Sequence, residues 1–117
     1  MKITDVKAYS VAIPFTAPIL SAMGVSYPAR MRTIIELHTD EGLIGLGECG
    51  YSPLGTFTGT PQAAAFEGPI KALLVGEDPF DSEWLRRKLR FSNEESAAVE
   101  MACWDLMGKA TGLPVYR

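Results

Sequence analysis

Residues 33–50, Thr33-Ile34-Ile35-Glu36-Leu37-His38-Thr39-Asp40-Glu41-Gly42-Leu43-Ile44-Gly45-Leu46-Gly47-Glu48-Cys49-Gly50, decide the fold. Over 30–39 the apolar period is close to two. Met31, Thr33, Ile35 and Leu37 share one face, and Arg32, Ile34, Glu36 and His38 share the other, the pattern of a half-buried strand. Asp40-Glu41-Gly42 follows as a short turn, with glycine where a left-handed residue closes a bulged hairpin, and 43–50 returns as a second strand of the hairpin. Pairing centred on Glu41 sets Cys49 opposite Thr33 and far from His38. No cysteine–histidine nucleophile pair is therefore expected, nor is a third orienting group in sight. Gly45, Gly47 and Gly50 do not make a phosphate loop. They alternate inside a strand and lead into Tyr51-Ser52-Pro53, whereas a dinucleotide fingerprint needs glycines between a strand and a helix N-terminus. Glycines so placed mark a bulge or a place where another backbone or a ligand comes close, and close packing is expected here.

Working upstream, 3–14 is rich in Val, Ile and Tyr and is stopped by Pro14 and Pro18, giving a long first strand and a three-stranded antiparallel meander. Downstream the signals become helical. Thr60-Pro61 reads as an N-cap with proline at the first helical position of a helix over 61–75, which Gly68-Pro69 must kink or divide. Asp81 reads as the cap of a second helix over 82–90 that carries Trp84, Leu85 and Leu89. Ser92-Asn93-Glu94-Glu95 has capping-box spacing and opens a last helix running to about Thr111, with Val99, Cys103, Leu106 and Ala110 on one stripe and Gly112 and Pro114 as its stop. Strands followed by helices define the α+β class. The expected domains are 1–92 and a linking helix with its tail, 93–117.

Composition narrows the function. The 117 residues carry 11 Lys+Arg against 14 Asp+Glu, a net charge of −3, with the basic residues scattered apart from Arg86, Arg87, Lys88 and Arg90. That is not the footprint of a nucleic-acid binder, and the cluster reads as a solvated helix face. No apolar run reaches the roughly 18 residues of a membrane span, and the start lacks a signal peptide, so no membrane partner and a cytoplasmic location are expected. Cys49 and Cys103, far apart, read as buried, inert thiols. A (β/α)₈ barrel needs about 250 residues; any barrel is expected to lie outside these residues.

Glu100 and Asp105, five apart on the last helix, point about 140° apart and cannot form a metal pair on one face. Asp105 is expected to accept hydrogen bonds or to pair with Lys109. By their residue chemistry alone, these positions assemble no catalytic or metal constellation. Two segments are overlong for such a fold, 15–29 and 51–59. The first holds Ile19, Leu20, Met23, Val25 and Tyr27, too apolar for a disordered linker, and so is expected either to cover something or to fold onto its own domain.

Two passages carry a family resemblance. Arg32-Thr33-Ile34-Ile35-Glu36-Leu37 with the Thr39 to Glu48 hairpin, and above all Ala97-Ala98-Val99-Glu100-Met101-Ala102-Cys103-Trp104-Asp105-Leu106-Met107-Gly108-Lys109-Ala110-Thr111-Gly112-Leu113-Pro114-Val115-Tyr116, resemble the N-terminal capping domain of the enolase superfamily, mandelate racemase and muconate lactonizing enzyme subgroup. The resemblance implies a domain that caps a modified barrel, where three acidic residues bind Mg²⁺ and lysine or histidine bases abstract a proton α to a carboxylate. Those ligands and bases are expected past Arg117, leaving this chain catalytically incomplete, without catalytic or metal-binding residues of its own. The implied partners are the barrel domain or a further copy of the chain and, in the full enzyme, a small carboxylate substrate. The two overlong segments match the family's substrate-closing loops. Ser21, Met23, Ser26, Tyr27, Tyr51 and Phe57 are thereby expected to line the substrate. Residues 18–28 with Arg32 are most similar to glucarate dehydratases, which implies an acid-sugar lyase. The alternatives are an isomerase parent, racemase or cycloisomerase, and a non-catalytic, self-associating structural module.

Overall fold

In the computed structural model, which describes residues 1–17, 22, 24, 29–50, 62–90 and 93–117, the meander forms as read. β1 (Ile3–Pro14), β2 (Ala29–Thr39) and β3 (Ile44–Gly50) lie in the order β1-β2-β3, antiparallel throughout. The hairpin register is the one centred on Glu41, with Thr33 opposite Cys49 and His38 opposite Ile44. Gly42 closes the turn at φ 77°, a conformation glycine adopts without a Cβ penalty. The hydroxyl of Thr39 supports the turn, donating to the carbonyl of Leu43 at 2.9 Å.

The helical half wraps one face of this sheet. α1 (Gln62–Ala65) and α2 (Lys71–Leu74) are joined by a π-helical turn, Phe66–Ile70, that contains Gly68 and Pro69. The kink or division expected at Gly68-Pro69 takes the form of a π-helical widening. A proline in an α-helix leaves one carbonyl without its donor. The wider turn takes donors one residue later, as when the Lys71 N–H reaches the carbonyl of Phe66. The expected cap at Thr60-Pro61 lies outside the described residues. α3 (Ser82–Lys88) starts after Asp81, but the Asp81 side chain makes no cap. Asp78 instead accepts from the Phe80 N–H at 3.0 Å, so the aspartate that organises this corner lies one turn earlier than expected.

α4 (Asn93–Thr111) lies over β3 and β2. Its buried stripe is Ala98, Val99, Ala102, Cys103 and Leu106, whereas Ala110, expected on it, is exposed. The helix ends in a Schellman arrangement. Gly112 is left-handed at φ 66° and the Leu113 N–H donates to the Gly108 carbonyl at 3.1 Å. Between the layers, Ile3, Val6, Ile35 and Leu37 from the sheet meet Phe66, Ile70, Leu74, Leu85 and Leu106. A fully buried Phe or Leu of this kind contributes about 1.5–3 kcal/mol, and this core holds the two halves together.

Candidate functional site

The two segments expected to contact substrate are bounded by residues at one end of the sheet. Pro14 and Ala29, which flank 15–28, are paired across β1 and β2, and Gly50, which precedes 51–61, is paired with Arg32. Ser21, Met23, Ser26, Tyr27, Tyr51 and Phe57 themselves lie outside the described residues. What the structure does show is how the ends of the second segment are tied. The side chain of Gln62 donates from Nε2 to the Gly50 carbonyl at 3.1 Å, fastening the first residue after the segment to the last residue before it.

Gln62 is fully buried and is held in turn. It accepts at Oε1 from the Thr33 hydroxyl at 2.7 Å, and its Nε2 also donates to Glu95 Oε1 at 3.1 Å. One side chain thus joins β2, β3 and α4. Sequence patterning misses Gln62 because a glutamine in the first turn of an Ala-rich helix reads as solvent-facing. The clue is Thr33, a hydroxyl among Ile35 and Leu37 on the inward face, which requires a partner. Glu95, read as part of a capping box, supplies an acceptor to this buried cluster; Ser92 lies outside the described residues.

Cys49 borders the same cluster. Burial, followed by the negative charges of Glu95 and Glu94, pushes its thiol up to about 12, and burial with Glu100 does the same to Cys103. Both are neutral thiols near pH 7 and no nucleophiles, as expected. His38 lies at the opposite end of the sheet, its Nε2 paired with Glu36 Oε2 at 2.8 Å. Among the described residues no group of three His, Cys, Asp or Glu could hold a metal ion. The donor chemistry agrees: Asp5 pairs with Lys71, Glu77 with Lys88 and Asp105 with Lys109, so these carboxylates are already neutralised by lysines. The described residues do not fit a Mg²⁺ site.

The W-D-x-x-G-K passage has a structural role. The carboxylate of Asp105 accepts from the Leu46 N–H at 2.9 Å, and Lys109 donates to the Ile44 carbonyl at 2.7 Å while pairing with Asp105 at 2.6 Å. Together they close the outer edge of β3. Gly108 leaves room for the returning chain, since a Cβ there would stand 3.0 Å from the Leu113 carbonyl oxygen. A cavity of about 300 Å³ lies between α3 and α4, bordered by Arg86, Arg87, Arg90 and Glu100.

A three-stranded meander backed by helices, with both overlong segments rooted at one sheet end, defines the class: residues 3–117 match the family model described as mandelate racemase / muconate lactonizing enzyme, N-terminal domain, and the chain belongs to that family. Among its relatives is the cis-3-hydroxy-L-proline dehydratase of Roseibium aggregatum, 35% identical over 99% of this chain and 33% of that protein. Another is the N-succinyl-L-Arg/Lys racemase of Bacillus cereus, 31% identical over all of this chain and 33% of that protein. The dipeptide epimerase of Enterococcus faecalis, solved with Mg and the dipeptide L-Leu-L-Tyr, superposes with a TM-score of 0.83 at 30% identity, covering 99% of this chain and 34% of that one. The chain therefore spans about a third of the length of these relatives. No helix among the described residues is long and apolar enough to cross a membrane.

Proposed function

We propose that this chain is the substrate-capping and specificity domain of a cytoplasmic, Mg²⁺-dependent enolase-superfamily enzyme, of the acid-sugar dehydratase type, whose barrel supplies the metal ligands and bases. The observation that carries the reading is the rooting of both overlong segments at one end of the sheet, with the second tied shut at its base by Gln62. Ser21, Met23, Ser26 and Tyr27 on one segment and Tyr51 and Phe57 on the other would face the substrate. Their apolar surfaces exclude water, and their hydroxyls orient polar groups of a small carboxylate. Met101 and Trp104, about half exposed on the outer face of α4, supply apolar surface against which the barrel would pack.

An isomerase parent is the second reading, favoured by the racemase and epimerase among the relatives. Both readings keep the chemistry outside these residues. Incubating the 117-residue chain alone with Mg²⁺ and a panel of acid sugars and N-acyl amino acids in D₂O tests this. No turnover and no α-hydrogen exchange are expected; either activity above the buffer rate overturns the assignment.

A further inference from the structure

The two edges of the sheet are finished differently. The β3 edge is closed by Asp105 and Lys109. On β1 the described residues close the outer edge only along its first half. Ile3 exchanges backbone hydrogen bonds with Gly76 and Glu77, and the Ala8 N–H donates to Glu67 Oε1 at 3.0 Å. Because the register with β2 runs without interruption from Asp5 to Pro14, the outward direction at Ala8 repeats at Ser10, Ala12 and Pro14. Ser10 and Ala12 are exposed, and no partner among the described residues meets their outward N–H and C=O groups. Residues 8–14, Ala-Tyr-Ser-Val-Ala-Ile-Pro, carry no charge, and their only proline is the last residue. A long uncharged edge of this kind is a template for another strand.

We propose that the occupant is β1 of a second copy of this chain, paired antiparallel about a two-fold axis at Val11 to make a continuous six-stranded sheet. The register is self-complementary. Ser10 faces Ala12 of the second copy, and each such pair exchanges two backbone hydrogen bonds. Ala8, whose N–H is held by Glu67, then falls opposite Pro14, which has no N–H, so this outer pair exchanges no hydrogen bond and the pairing is carried by Ser10 and Ala12. On the sheet face away from the helices, Tyr9 and Ile13, 47% and 51% exposed, pair across the axis, and Val11 meets its own copy. These aromatic and β-branched pairs stabilise antiparallel neighbours, and the register brings no like charges together. This pairing does not depend on the enzymatic reading.

The test is self-association of the full 117-residue chain together with a cross-link that only this register allows. Sedimentation velocity over a concentration series is expected to show a reversible dimer. Val11→Lys, which sets like charges across the axis, is expected to weaken it by roughly tenfold or more. Under mild oxidation Val11→Cys is expected to give a disulfide-linked dimer, because directly opposed residues in a non-hydrogen-bonded pair have Cα atoms about 4.5 Å apart, within disulfide reach. Lys7→Cys, opposite Phe15, is expected to stay unlinked. A chain that is monomeric throughout the series, or one that cross-links equally at both positions, overturns the proposal. A variant that does not fold, judged by circular dichroism, leaves the decision to the sedimentation of the unaltered chain.

Discussion

The carbonyl oxygen of Ala98 fills the place that a Cβ on Gly47 would take, so β3 and α4 touch backbone to backbone. Gly45 stands in the same relation to Ala102, one helical turn along. Both contacts are with backbone, which cannot turn aside as a flexible side chain would. Gly47→Ala is therefore expected to cost about 2–3 kcal/mol, the upper range for overpacking, in urea unfolding. Gly68→Ala meets nothing within 4 Å and is the matched control, expected to be neutral or slightly stabilising. Equal losses at the two positions would contradict the close approach.

Closing the β3 edge requires both members of the Asp105–Lys109 pair. Asp105→Ala is expected to speed amide exchange at Leu46 selectively, because that N–H loses its acceptor, while global stability falls by about 1 kcal/mol or less for these partly exposed side chains. Hydrogen exchange read by NMR checks this. An unchanged Leu46 amide would remove the edge-closing role.

Gln62 satisfies Thr33 and Glu95 at once, so Gln62→Leu is expected to cost about 1–3 kcal/mol by stripping both of a buried partner. Gln62→Glu keeps the shape but places a second carboxylate beside Glu95. Its loss is expected to shrink as the pH falls toward the carboxylate range, and a pH series of thermal melts on the two variants separates charge from packing.

Two surface carboxylates make stability pH-dependent at the acid end. Lys71 beside Asp5, and Lys88 beside Glu77, hold their carboxyls below the usual values of 3.8 and 4.5. A folded pKa below the unfolded one gives stability that is present above the unfolded value and lost as the pH falls through the folded one. The melting temperature is expected to drop below about pH 4, and less steeply in Asp5→Asn. At the alkaline end the sign reverses. Cys49 and Cys103, raised from 9.0 to about 12, contribute stability that is full below pH 9 and lost as the pH climbs toward 12. Native-state alkylation of either thiol at pH 8 is accordingly expected to proceed only through unfolding.

The strands and the hairpin register were legible because a period of two and one Asp-Glu-Gly turn leave few alternatives: Cys49 stands opposite Thr33 as the turn position requires. The Asp105–Lys109 pair was legible from its spacing, but its edge-closing role was not, since that depends on which strand α4 crosses. Proline rules gave the disturbance at Gly68-Pro69 but not its form, because a π turn is one of several ways a helix absorbs a missing donor. Asp81 reads as a cap from its position alone, yet Asp78 makes the bond, which depends on the path of the chain through Pro79. Gln62 escaped because its burial is set by three elements distant in sequence.

Substrate preference after domain exchange tests most directly whether these residues select the substrate while others transform it. Residues 1–117 would replace the matching first third of the Roseibium dehydratase, and kcat/KM would be measured over a set of hydroxy acids and hydroxyprolines. The expected result is that Mg²⁺-dependent elimination persists with an altered order of substrates, and that Tyr27→Ala and Phe57→Ala in the exchanged enzyme raise KM by about tenfold with kcat less affected. An exchanged enzyme that keeps the parent's substrate order and is indifferent to both substitutions would contradict the assignment of specificity to this domain.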